Sequence, residues 1–155
     1  TGGRLKRVQS YIGGEDFMLT YGDGLSNVDI SALVNFHQQH GKIATLTAIQ
    51  PEARFGGLDI SSDGEIVNFR EKPKGDGKWI NGGFFVLKNE VFNYLNEENI
   101  DAVMWEEAPL EKLTSDNQLM AFKHHGFWKC MDAMRDKIEL ENMWESEDPK
   151  WKVWK

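Results

Sequence analysis

Two aspartates at the ends of apolar segments are the residues best placed to do chemistry. Asp23 follows Phe17-Met18-Leu19-Thr20-Tyr21 and stands between Gly22 and Gly24; Asp132 ends Gly126-Phe127-Trp128-Lys129-Cys130-Met131. Flanking glycines let a strand exit sharply and leave no side chain between the carboxylate and a ligand. Ligands of open α/β sheets bind at that strand edge. Two such carboxylates could share one Mg²⁺, a hard cation that takes oxygen ligands and is usually shared with substrate phosphates. Each aspartate also has a plainer use: Gly22-Asp23-Gly24 suits an ordinary strand-to-helix turn, and Asp132 suits an N-cap for a helix that starts at Ala133. Glu71 and Lys72 precede Pro73 at the end of another apolar run. A lysine there offers phosphate a point charge and a glutamate offers sugar hydroxyls an acceptor, although in an extended chain the two point to opposite sides unless Pro73 turns them.

Other arrangements carry less. His37 and His40 share a helical face and His124 and His125 are adjacent, but neither pair has carboxylate or cysteine partners at metal-site spacing. Gly22-x-Gly24 continues as Leu25-Ser26-Asn27, so no dinucleotide-binding fingerprint exists, and no Gly-Lys-Ser/Thr phosphate loop occurs.

The elements that must position these residues follow from hydrophobic periodicity. Residues 5–12 read as a short amphipathic helix ending at Gly13-Gly14, 17–21 as a strand, and 30–40 as a helix with Asp29 as cap and Gly41 as terminator. The β-branched run 42–49, stopped by Pro51, completes a βαβ unit. Residues 58–61 and 66–69 flank Ser62-Asp63-Gly64-Glu65 as a hairpin that is expected to add antiparallel strands to the sheet. A strand over 80–87 opens with Gly82 and Gly83, which would let a ligand approach the backbone. A helix capped by Asn89 follows, then a helical stretch over 100–115 split by Pro109, a strand at 119–123, and a helix over 133–145. The expected fold is an α/β, Rossmann-like, mixed and mainly parallel sheet flanked by helices, in one domain.

The 155 residues are 40% hydrophobic and 12% aromatic, ordinary for a globular domain, and carry a net charge of −7. An acidic chain argues against a nucleic-acid surface and leaves anionic substrates to local Lys, Arg or a divalent cation. Cys130 is the single cysteine, which excludes an internal disulfide and makes a reducing cytoplasm the expected compartment. No apolar run reaches membrane-spanning length. The tryptophans at 144, 151 and 154 read as packing or subunit-contact residues. The chain starts at Thr1 without an initiator Met and is expected to be part of something longer.

Taken in order, Thr1-Gly2-Gly3-Arg4-Leu5-Lys6-Arg7, Thr20-Tyr21-Gly22-Asp23-Gly24, Arg54-Phe55-Gly56, Glu71-Lys72-Pro73-Lys74-Gly75-Asp76-Gly77, Ile80-Asn81-Gly82-Gly83-Phe84-Phe85 and Phe127-Trp128-x-x-Met131-Asp132 resemble the glucose-1-phosphate cytidylyltransferase branch of the sugar-phosphate nucleotidylyltransferases over nearly the whole chain. The resemblance implies the nucleotidyltransferase fold and Mg²⁺-dependent reaction of CTP with α-D-glucose 1-phosphate to CDP-glucose and pyrophosphate. It supplies dideoxy sugars for surface polysaccharide, in an enzyme that is a homo-oligomer at full length. By the same resemblance Asp23 and Asp132 bind the metal, Lys72 holds the sugar phosphate, Glu71 and Asn81 meet sugar hydroxyls, Gly56 and Gly82 line the sugar pocket, and Arg4 and Gly22 contact the nucleotide. Family members also carry a glycine-rich Gly-Gly-x-Gly-Thr-Arg loop that cradles the triphosphate, and it does not occur here. The chain is therefore expected to be the C-terminal part of such an enzyme, inactive alone, or else a non-catalytic sugar-phosphate-binding or subunit-contact protein built from that half.

Overall fold

The computed structural model describes residues 1–51, 57–70, 78–95 and 99–154. In chain order the helices are α1 (Gly2–Arg7), α2 (Gln9–Ile12), α3 (Ile30–His40), α4 (Ala108–Ser115) and α5 (Met134–Glu145). The strands are β1 (Phe17–Thr20), β2 (Gly24–Ser26), β3 (Ala44–Ile49), β4 (Gly57–Ile60), β5 (Ile66–Arg70), β6 (Ile80–Leu87), β7 (Leu119–His124) and β8 (Trp128–Cys130). The chain divides into two compact units: Thr1–Gly22 with Asp29–Thr47 and Gly83–Phe122, and Asp23–Val28 with Ala48–Gly82 and Lys123–Lys155.

The first unit is built on a sheet in the order β1-β6-β3-β7. β1 lies antiparallel to β6, with Phe17 opposite Leu87 and Thr20 opposite Phe84. β3 is buried at nearly every position, which is why its sequence is a continuous β-branched and small-residue run rather than an alternating one. α3 begins and ends as the sequence predicts: Ala32 N–H donates to Asp29 Oδ1 at 2.9 Å, and Gly41 closes the helix at φ 69°. The predicted helix over 5–12 is two helices meeting at Val8. Pro109 falls in the first turn of α4, so the 100–115 stretch is split as predicted, into a 3₁₀ turn at Ile100–Ala102 and α4. Asn89 caps nothing; residues Asn89–Tyr94 form a 3₁₀ helix entered from Lys88. The core gathers Leu5, Phe85, Leu87, Val91, Phe92, Leu95, Trp105 and Leu113. Phe85 meets Trp105 edge-on at 5.7 Å and Phe17 stacks on Phe92 at 5.5 Å, geometries that aromatic rings favour.

In the second unit, β2 pairs antiparallel with β8 and β4 with β5. The β4–β5 hairpin forms as predicted, but as a two-stranded sheet of its own rather than as part of the main sheet. Its polar residues are joined to each other, Asn68 and Arg70 both donating to the Asp59 carboxylate. Its apolar residues Leu58, Ile60, Ile66, Val67 and Phe69 remain 47–65% exposed. α5 buries Leu140, and Trp151 meets Phe127 and Trp144 with ring centroids 5.8 and 6.4 Å away, so of the three tail tryptophans Trp151 is the buried packing residue while Trp144 and Trp154 are exposed.

Candidate active site

The second unit carries Asp23 and Asp132 at one end of the β2–β8 ribbon. Gly24 stands opposite Cys130 and Ser26 opposite Trp128, and the ladder continues one step further because Met131 N–H donates to the Asp23 carbonyl at 2.9 Å. Residues opposite each other in an antiparallel pair lie about 4.5–5.5 Å apart. Asp23 thus faces Met131, and Asp132 is the next residue along; both aspartates are exposed. The other end of the ribbon is tied by polar bonds. Ser26 Oγ donates to the Phe127 carbonyl at 2.8 Å, accepts from Val28 N–H at 3.2 Å and lies 3.2 Å from His124 Nε2; Asn27 N–H also donates to Phe127 at 3.2 Å. A Cβ at Gly126 would collide with Asn27 Oδ1 and the His124 ring, so the turn before β8 has no room for a side chain.

Asp132 does not cap α5. The cap position is Ala133, and the side chain that serves it is Asp136, whose Oδ2 accepts from Ala133 N–H at 3.0 Å. Asp136 is buried, with the Lys129 ammonium 4.0 Å from it; Lys129 also pairs with Glu139. Asp132 instead accepts a hydrogen bond from the Cys130 thiol at 3.0 Å. Burial first, and then the Asp132 bond and charge, push that thiol up to about 11. The donor chemistry suits a hard divalent cation: two exposed carboxylates at the same end of the ribbon would leave its remaining sites to water and substrate phosphate. Among the described residues no cluster of three or more His, Cys, Asp or Glu could hold a metal by itself.

Gly82 lies in the same unit, buried, and its carbonyl accepts a hydrogen bond from Trp128 Nε1–H at 2.7 Å. Asn81 is half-buried beside it. Gly56, Glu71 and Lys72 lie outside the described residues.

In the first unit, Gly22 is exposed, and a Cβ there would meet no heavy atom within 4 Å. Gly83 has φ 81°, and a Cβ on it would come 2.5 Å from Tyr21 Cδ2. That glycine was expected to admit a ligand; it admits the protein's own Tyr21 ring. Arg4 is exposed on α1. The two glycines before it are there for packing: a Cβ on Gly2 would stand 2.9 Å from the Val103 side chain and carbonyl, and one on Gly3 2.7 Å from the Ile100 carbonyl. Thr1 Oγ1 donates to Glu106 Oε2 at 2.6 Å and accepts from Trp105 N–H at 2.8 Å. Burial pushes the Glu106 carboxyl up, but the bonds from Thr1 and Tyr21 outweigh it and hold the group below its usual range. Sequence reasoning missed the bonds that Trp128, Asp136 and Glu106 make. Only Asp136 left a signal, standing three residues after the helix cap as the second half of a capping box does.

Residues 3–145 match the nucleotidyl transferase family model, a class of α/β protein. The chain belongs to that family. Its members act on a nucleoside triphosphate and a sugar phosphate and generally use a divalent metal. It is 52% identical over 155 residues to a glucose-1-phosphate cytidylyltransferase of Salmonella typhi, covering 99% of this chain and 59% of that protein. Identity to a probable glucose-1-phosphate cytidylyltransferase of Bacillus subtilis is 42% over 154 residues, with the same coverages. The chain thus spans about three fifths of the length of these relatives. A Bacillus anthracis crystal structure in complex with a sucrose shares the fold at TM-score 0.70 and 15% identity, covering 100% of this chain and 63% of that one. Among the described residues, no helix is long and apolar enough to cross a membrane.

Proposed function

We infer that this chain supplies the sugar- and metal-binding half of a glucose-1-phosphate cytidylyltransferase. Such an enzyme joins CTP and α-D-glucose 1-phosphate into CDP-glucose and pyrophosphate. On this reading both units belong to the C-terminal part of one nucleotidyltransferase domain. The observation that carries it is that the β2–β8 ribbon brings the backbones of Asp23 and Asp132 to one end, just beyond its paired residues. The identity to the two cytidylyltransferases supports CTP as the nucleotide.

Asp23 and Asp132 would hold Mg²⁺, which when bound neutralises charge developing on the pyrophosphate. The remaining residues bind and orient. Lys72 neutralises the sugar phosphate, Glu71 and Asn81 take sugar hydroxyls, the backbone at Gly56 and Gly82 lines the pocket, and Arg4 and Gly22 meet the nucleotide. A phosphate oxygen of the sugar phosphate attacks the α-phosphorus of CTP, forming one P–O bond as the bond to pyrophosphate breaks. No side-chain nucleophile takes part; the work is alignment of two anions and stabilisation of charge. The exposed apolar face of the β4–β5 hairpin supports a further role as a contact with a second copy, which light scattering of the chain and of Phe69→Ser would test.

Asp23→Asn and Asp132→Asn, made in the full-length enzyme, should each reduce turnover by about a thousandfold or more, the scale of several kcal/mol of lost charge stabilisation. Thermal midpoints should hardly move, because both side chains are exposed. Chelation should abolish pyrophosphate release and added Mg²⁺ restore it. Turnover within a few-fold of the parent in both variants would overturn the assignment. The 155 residues alone, whose sequence holds no glycine-rich phosphate loop, should release no pyrophosphate.

A further inference from the structure

Trp128 joins two stretches to which the proposed function gives different tasks. β8 runs from Trp128 through Cys130 and on to Asp132, while β6 opens with Ile80, Asn81 and Gly82. The indole N–H is the only polar group of tryptophan and can only donate. Here it donates to the Gly82 carbonyl at 2.7 Å, at the short end of the N–H···O range. Gly82 is buried, so its carbonyl would have no ready alternative in water. The same indole nitrogen lies where a Cβ on Gly24 would be 3.9 Å away, beside the residue that follows Asp23. One side chain therefore stands over the open side of Gly24, begins the strand that leads to the second aspartate, and fixes the backbone next to Asn81.

We propose that Trp128 is a positioning residue for the sugar-phosphate pocket: through the Gly82 carbonyl it sets where Asn81 and Gly82 stand relative to the β2–β8 ribbon. This rests on the reading of Asn81 and Gly82 as sugar contacts. Catalysis by alignment loses steeply when a contact shifts by about an ångström, so a bond that fixes the backbone at Gly82 against the ribbon is felt at the ligand.

Glucose 1-phosphate titrated calorimetrically into the 155-residue chain with Mg²⁺ present tests this on the parent, Trp128→Phe, Trp128→His and Trp144→Phe. Phenylalanine keeps a ring and removes the donor, and should weaken binding about tenfold, the scale of one buried hydrogen bond. Histidine, which can present a ring N–H, should recover part of the loss. Trp144→Phe, at a ring stacked on Trp151, should bind as the parent does. A second measurement needs no variant: exchange of the Trp128 indole proton, assigned from its proximity to Gly24 and Gly82, should slow further when glucose 1-phosphate is added, while that of Trp144 does not. Equal affinity in parent and Trp128→Phe, or an indole proton indifferent to the ligand in a parent that binds it, overturns the role of Trp128 alone. A parent chain that fails to bind glucose 1-phosphate overturns the underlying reading of the pocket, and this inference with it.

Discussion

The first unit's sheet and the second unit's β2–β8 ribbon are held by opposite means. In the core packed on the sheet, Phe85, Trp105 and Leu113 are at most 1% exposed and apolar burial supplies the stability. In the ribbon, three residue pairs are only half-buried, and register comes from backbone bonds, the Ser26 hydroxyl, a glycine that leaves no room at 126 and the Asp136 cap. On the proposed reading, an exposed carboxylate here meets a cation and a polyanion, and burial of its own surface does not position it. It is positioned by the polar bonds of its neighbours.

Substitutions can break that comparison or sharpen it. The largest effect is expected from Phe85→Ala, which should cost about 3–5 kcal/mol in denaturant unfolding through lost burial and a cavity beside Trp105. A loss below about 1 kcal/mol, the scale of a surface change, would mean that the sheet is not held by its core. Asp136→Ala should cost about 1–2 kcal/mol, since it removes the bond to Ala133 N–H and a partner of Lys129. If the ribbon depended on apolar packing instead, that variant would be silent.

Acidity should act on the sheet unit more gently. His37 and His40 share the Thr45 hydroxyl, at 2.8 and 2.7 Å. Burial lowers both pKa values from 6.5, with His40 adding to it for His37 and Lys42 for His40; Lys88 lowers both further, and Asp16 partly offsets the shift at His37. Bases with lowered folded pKa values bind protons more readily in the unfolded chain, so stability is full above pH 6.5, falls as pH drops through 6.5 and levels off below the folded values. Urea midpoints at pH 7.5, 6.0 and 5.0 would show the slope, and a flat profile would remove the histidines from the account. The smallest effect belongs to the hairpin: Phe69→Ser, at a 61% exposed position, should stay within about 0.5 kcal/mol. A loss of 2 kcal/mol or more at a dilution where the chain is monomeric, the scale of a buried side chain, would show that this face is covered within the chain itself.

The same contrast decides what was legible in the sequence. Apolar periodicity and turn residues found β1, α3, β3, the hairpin and α5 to within a residue or two, because burial writes itself as a pattern. Asp29 and Gly41 were readable for the same local reason. β2 was not, since three residues beginning with glycine carry no period and exist only because β8 pairs with them. Asp23 and Asp132 could be singled out by type and by their place at segment ends, but not which of Asp132 and Asp136 serves α5; that choice lies in side-chain geometry. Trp128 read as an apolar strand residue because a tryptophan's single donor leaves no mark on hydropathy. The hairpin was found but misplaced, since alternation predicts a pair of strands and not what lies beside them.

Gly2 and Gly3 draw out one more consequence. The space their missing side chains leave is filled by Val103, Ile100 and Asp101. Crowding within the fold is therefore enough to hold both positions as glycine. A descendant that had lost every substrate would still be barred from filling these two positions, so the glycine pair would persist as a mark of the fold rather than of its ligands.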